Sequence, residues 1–172
     1  MIGFTILVLA VAGERLAELS VARRNRRWSV DHGGIEYGSG HYPAVVAVQI
    51  GLLAGCLVEV WWRQPAFVPL LGIPMLILVF AAQALRWWCI RTLGPRWNTR
   101  VIIVPGLPLV RRGPYRVLNH PNYVAVVAEG LALPLVHTAW ITALAFTVVN
   151  SAILIIRIRV ENRALRSSRT PR

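Results

Sequence analysis

Lysine is missing from this chain, and acids are scarce. The 172 residues hold 19 cationic side chains, all arginine, against 7 acids, for a formal net charge of +12. Only 15% of residues are charged while 56% are hydrophobic. That balance excludes a disordered chain and argues against an ordinary soluble domain. Cysteine is equally sparse. Cys56 and Cys89 lie inside apolar runs, suggest no disulfide framework or zinc spacing, and read as small buried hydrophobes. The histidines and Asp31 match no familiar ligand set, so no metal is expected. A basic excess often means a nucleic-acid partner. Here the arginines fall between long apolar runs, and none is expected.

Those runs are what the chain has in abundance. A bilayer core takes about 20 mostly apolar residues per helix. Five segments qualify as candidates: Ile2 to Val21, Ala44 to Trp62, Val68 to Ile90, the shorter Asn122 to Val136, and Ala139 to Arg157. The first lacks the basic start and small-residue cleavage site of a signal peptide and carries charges in its second half, so it is expected to remain.

The arginines orient the bundle. Arg23, Arg24, Arg26 and Arg27 follow the first span. Arg91, Arg96, Arg100, Arg111, Arg112 and Arg116 separate the third from the fourth, and Arg159, Arg163, Arg166, Arg169 and Arg172 follow the fifth. The opposite side has Arg63 alone. This asymmetry predicts an N-terminus outside, a C-terminus inside, and the arginine-rich segments in the cytoplasm. The longest loop, between spans three and four, includes VIIVPGLPLV. That piece is too short and too broken by Pro and Gly to span, and is expected to be re-entrant or strand-like.

Ionisable groups inside spans are costly and mark function by default. Span one has Glu14, Arg15 and Glu18; span four has Glu129; span five has Arg157 and Glu161 one turn apart, with Asn150 two turns earlier. Glu14 to Glu18 also suits a structural ion-pair network, and Glu129 suits interhelical hydrogen bonding. His32, His41, Glu36 and Tyr42, in and around GGIEYGSGHYP, read either as solvated loop residues or as the lining of an entrance.

The motif GPYRVLNHPNY, residues 113–123, followed by a span and then VENRAL, resembles the isoprenylcysteine carboxyl methyltransferase-like family of integral-membrane methyltransferases. The resemblance covers roughly residues 90–165. The front half, with RLAELSVARRN and GGIEYGSGHYP, is similar to a bacterial branch associated with O-methylation of alkylpyrone- and alkylresorcinol-type polyketides. Asn119 stands where the family usually has Arg, and Asn162 replaces the second acid of its Glu-Glu pair.

The resemblance implies an all-α integral membrane protein of about five transmembrane helices with a cytoplasmic cofactor pocket. Residues 1–172 would form a single membrane domain, with spans one to three in 1–90 and the methyltransferase core in 91–165. It implies S-adenosylmethionine as cofactor, S-adenosylhomocysteine as product, and Tyr115, Arg116, His120, Pro121, Tyr123, Glu161 and Asn162 as cofactor-binding positions. It also implies a multi-pass protein of the bacterial cytoplasmic membrane with its site facing the cytosol.

The residue types suit the task. Aromatic faces such as Tyr115, Tyr123 or Trp97 attract a sulfonium. Arg116 and the start of span four suit the cofactor's carboxylate, and Glu161 its ammonium. Pro121 belongs in a first helical turn, which puts His120 near the N-cap. His120, Glu129 and Glu161 are the candidate catalytic residues, with His120 the first choice as base and Glu129 the second. The expected partners are a lipophilic acceptor and membrane lipids; oligomeric state is open. The alternatives are a phospholipid or amine N-methyltransferase and a non-catalytic membrane interaction protein.

Overall fold

The computed structural model describes residues 1–167; Arg169 and Arg172 lie outside the described residues. Five α-helices dominate the fold: α1 (Ile2–Asp31), α2 (Tyr42–Arg63), α3 (Pro69–Leu93), α4 (Pro121–Leu135) and α5 (Trp140–Ser167). Among the described residues, three stretches are long and apolar enough to cross a membrane: Ser39–Arg63, Pro69–Arg96 and Trp140–Arg166. The other two expected spans differ for physical reasons. Glu14, Arg15 and Glu18 interrupt the apolar run of α1. The 15 residues of α4 reach only about 22 Å, against an apolar bilayer core of about 30 Å.

Helix α1 runs ten residues beyond the expected Val21. The segment ARRNRRWSVD contains no Pro or Gly, and arginine is a good helix former. Termination waits for Gly33, at φ 74°, and the Gly34 amide, which donates to the Ser29 carbonyl at 2.7 Å. The buried residues Phe4, Val8, Val11, Glu18, Ala22, Asn25 and Ser29 form one stripe at helical spacing, so one face of α1 packs along its length.

The helices share a core in which Phe4, Val8 and Val11 of α1 meet Leu52, Cys56 and Val60 of α2, Val79 of α3, Ala132 and Leu133 of α4 and Phe146 of α5. Close approach of α4 to α5 depends on Gly130, where an added Cβ would collide with the Phe146 ring. Away from the site, Glu59 of α2 accepts hydrogen bonds from the Ile141 amide (3.1 Å), the Thr142 amide (2.7 Å) and the Thr142 hydroxyl (2.8 Å). It thereby caps the start of α5 from a neighbouring helix.

At the other end a short antiparallel pair, β1 (Ile35–Tyr37) and β2 (Val101–Ile103), joins the α1–α2 connection to the α3–α4 loop, with Glu36 opposite Ile102. The expected strand-like piece of the long loop is thus real, and its partner lies in the first half of the chain. Ion pairs of Glu36 with Arg100 (2.6 Å) and Arg26 (3.5 Å) fasten the pair to its surroundings.

Candidate active site

The site starts with the turn that carries the motif. Residues Gly113–Arg116 form a single 3-10 turn, and α4 begins at Pro121. Proline is favoured in a first helical turn because its missing N–H has no helical partner there. His120 is the N-cap of α4, as the motif predicts. The Tyr123 ring follows on the same face and stacks on His120, with ring centroids 5.5 Å apart and planes at 17°.

The last helix brings the second motif alongside. The Tyr123 hydroxyl donates to Glu161 Oε2 at 2.6 Å. The same oxygen lies 3.7 Å from His120 Nδ1. On the other side of the ring, His120 Nε2 is 3.2 Å from Asn162 Oδ1. An amide oxygen only accepts, so Nε2 carries the proton in this arrangement. The nitrogen left to act as a base in the neutral ring is then Nδ1, which faces Glu161.

These side chains border a cavity of ≈ 980 Å³. Its wall comes from the end of α3, residues 96–111 of the long loop, the 3-10 turn, the start of α4 and the cytoplasm-predicted end of α5. Tyr115, Arg116, His120, Tyr123, Glu161 and Asn162 all line it, as do Trp97, Asn119 and Asn122. Pro121 is buried behind the wall. Glu161 is the one acid among the described lining residues, against six arginines. Burial, more than any other influence, holds the Tyr115 phenol well above its usual value, with the Cys89 thiol as hydrogen-bond partner. Tyr115 therefore stays neutral and keeps its proton.

The extension of α1 holds the loop wall in place, which sequence reasoning missed. Asn25 Nδ2 donates to the carbonyls of Trp97 (2.8 Å) and Gly94 (3.0 Å), and Asn98 donates to the Ser29 hydroxyl at 3.2 Å. His32, His41, Glu36 and Tyr42 do not line this cavity. His32 Nδ1 approaches the Trp28 carbonyl at 2.8 Å, and His41 and Tyr42 border a narrow crevice beside β1.

Glu129 lies apart from the other candidate catalytic residues. It does not line the cavity and is only 1% exposed. Nine residues of helix set it about 13 Å deeper than His120. There Oε2 accepts from Arg15 and from Arg86, the latter at 2.8 Å. Glu18 completes the cluster, 2.6 Å from Arg15 Nη1 and 3.3 Å from Arg86 Nε, and Trp87 donates to Glu14. This is the ion-pair network that α1 also permitted, tying α1, α3 and α4 together.

A group that fits the cavity must satisfy what the protein leaves unsatisfied. Asn122 Oδ1 is a buried acceptor and Trp97 Nε1 a buried donor, and neither has a partner among the described residues. The volume sits at the upper end of the range for small-molecule sites, about 300–1000 Å³. A carboxylate, an amide, an imidazole, aromatic faces and guanidinium groups together match a ligand with an amino acid at one end and a nucleobase at the other. The donor set is compatible with S-adenosylmethionine, the cofactor that the motifs' resemblance implies.

Apolar helices of spanning length, with a polar ligand-sized cavity at one end of the bundle, define a helical membrane protein. The chain belongs to the isoprenylcysteine carboxyl methyltransferase (ICMT) family, a family of membrane methyltransferases, whose sequence model matches residues 75–167. It is similar over nearly its whole length to the uncharacterized protein YpbQ of Bacillus subtilis (strain 168), with 36% identity over 171 residues, 94% of this chain and 96% of that protein. An uncharacterized protein of Haemophilus influenzae is 25% identical over 166 residues, 96% of each chain. No solved structure matches.

Proposed function

We propose that the protein is an S-adenosylmethionine-dependent methyltransferase of the bacterial cytoplasmic membrane that O-methylates a lipid-tailed acceptor at the cytosolic face. The observation that carries this reading is the convergence of Tyr115, Arg116, His120, Tyr123, Glu161 and Asn162 on one cavity from two separate motifs. When bound, S-adenosylmethionine supplies a sulfonium-activated methyl group for in-line displacement.

The chain's own residues bind and orient. Glu161 and Asn162 hold the ammonium of the cofactor, while Arg116 and the first amides of α4 take its carboxylate. Tyr115, Tyr123 and Trp97 offer aromatic faces to positive charge. His120, braced by Asn162 and stacked on Tyr123, keeps Glu161 and Tyr123 in register. Apolar residues of the long loop, Val101, Ile103, Val104, Leu107 and Leu109 among them, wall the cavity and limit water.

A lipid-tailed acceptor explains why such a cavity sits on membrane helices. A soluble enzyme would have to extract each tail at about 0.8 kcal/mol per buried CH₂. A membrane enzyme admits the tail between helices and needs to bring only the polar head to the cavity. Alkylpyrone- and alkylresorcinol-type polyketides and isoprenoid-type carboxylates have this form.

The test is transfer of labelled methyl from S-adenosylmethionine into a bacterial lipid extract by the nanodisc-embedded protein. Wild type should label an organic-soluble product, and Glu161→Ala and His120→Ala should not. Release of labelled methanol by alkali identifies an ester, and alkali-stable label on oxygen an ether. Label on nitrogen would replace the O-methylation reading with the N-methyltransferase one. Absence of label from a well-folded wild type given both polyketide and carboxylate acceptors would sink the proposal.

A further inference from the structure

Gly113 seats the motif turn on the end of α3. A Cβ added there would stand 2.6 Å from Thr92 Oγ1 and 3.1 Å from Trp88 Nε1. Its φ of 56° is also one that residues with a side chain rarely adopt. The turn is thus pressed against the last turns of α3. Those turns belong to the membrane-crossing stretch Pro69–Arg96, and Trp88 is 54% exposed there. A half-exposed tryptophan at the end of a span belongs at headgroup level. The motif turn therefore lies at the edge of the bilayer.

The two sides of this turn differ. Arg111, Tyr115 and Arg116 line the cavity. Arg112, Val117 and Leu118 do not, nor do Trp88 and Arg91 of α3. Arg112 adjoins Gly113, and Arg91 adjoins Thr92, so both guanidinium groups stem from the contact between turn and helix. Both arginines are exposed, and neither side chain has an ion pair or hydrogen bond among the described residues. Three acids of the surrounding elements are engaged elsewhere: Glu14 by the Trp87 indole, Glu36 by Arg26 and Arg100, and Glu161 by the Tyr123 hydroxyl. Val117 is 84% exposed, so apolar surface stands beside unanswered cations.

Such a patch marks contact with another surface. An anionic phospholipid answers both of its parts. Phosphate oxygens match guanidinium forks, and the acyl boundary takes apolar side chains. A zwitterionic lipid brings its own cation and answers the arginines less well. An acidic protein would have to displace the headgroups that already surround the span at this depth.

We propose that Arg91 and Arg112, with Trp88 and Val117, form a docking site for the headgroup of an anionic phospholipid. Docking braces the outer side of a turn whose inner side walls the cavity. The inference stands apart from the methyltransferase reading and holds whatever ligand the cavity takes.

The experiment uses the full chain in neutral detergent as wild type, R91Q/R112Q, R91K/R112K and R23Q/R24Q. Arg23 and Arg24 are exposed on α1, so the last variant loses the same charge from another helix. Phosphatidylglycerol and phosphatidylcholine of equal chain length are titrated in, and bound lipid is counted by native mass spectrometry. Wild type should prefer phosphatidylglycerol. R91Q/R112Q should weaken it by about 10-fold. R91K/R112K, which keeps the charge and loses the forks, should fall between. R23Q/R24Q should keep the preference. S-adenosylhomocysteine should bind R91Q/R112Q as it binds wild type, because neither residue lines the cavity.

Equal binding of the two lipids by wild type would overturn the proposal. So would equal losses in R91Q/R112Q and R23Q/R24Q, which would reduce the effect to the chain's net charge. Loss of S-adenosylhomocysteine from R91Q/R112Q with phosphatidylglycerol unaffected would assign the two arginines to the cavity instead. If R91Q/R112Q does not fold, Arg112→Gln alone decides: unchanged phosphatidylglycerol binding overturns the proposal.

Discussion

Arg86 and Arg157 are buried to nearly the same degree, 5% and 8% exposed, in surroundings of opposite kind. Arg86 lies between Glu18 and Glu129, and Arg15 completes the cluster from α1. Arg157 has the Thr99 carbonyl and the Tyr123 side chain as partners, and no carboxylate within ion-pair distance among the described residues. One cluster closes its charges within the protein and holds helices together. The other stays open, beside a cavity large enough for a ligand. Buried charge alone therefore does not mark a site; charge that the protein leaves unanswered does.

The largest effect belongs to the closed cluster. Glu129→Ala leaves two buried guanidinium groups sharing one acid and should destabilise the protein by about 3 to 5 kcal/mol, read by thermal melting. A small change would mean that the network is not structural. Glu161→Ala should lower affinity for S-adenosylhomocysteine by about 10- to 100-fold. It should change stability by less than about 1 kcal/mol, because the carboxylate is partly solvated. Equal losses of stability in the two variants would erase the distinction between the clusters.

Asn162→Ala removes the brace on His120 and should cost about 3- to 10-fold in cofactor affinity by calorimetry. The smallest effect is expected of Tyr115→Phe. Tyr115 has its proton affinity raised by burial, so it is neutral throughout the working range. A raised value in the fold favours the protonated form, and that contribution is lost only as pH rises through the raised value. The pH–rate profile of Y115F should therefore match wild type below about pH 10. A shifted alkaline limb would show that Tyr115 ionises.

Much of this was legible in the sequence. Apolar runs bounded by Pro, Gly and arginine gave five helices at the observed places, because nothing competes with helix formation in such segments, although α1 and α5 each run ten residues past the expected end. The two motifs pointed to residues that share one cavity, because their spacing puts His120 and Tyr123 on one end of α4 and Glu161 and Asn162 on one turn of α5. The remainder depends on tertiary proximity. β1 and β2 are three residues each, too short to show alternation, and their partners are over 60 positions apart. Glu59 caps a helix that starts 81 positions later, which no local pattern announces. Glu129 and Arg157 looked alike as charges in apolar helices, and only their neighbours separate them.

The most direct test of the cavity is calorimetric titration of S-adenosylhomocysteine into detergent-purified wild type and Glu161→Ala, each shown by melting to be folded. Micromolar binding by wild type that is lost in the variant, with melting temperatures alike, is the expected result. Equal binding by the two proteins, or none by a folded wild type, would contradict the assignment of this cavity to the cofactor.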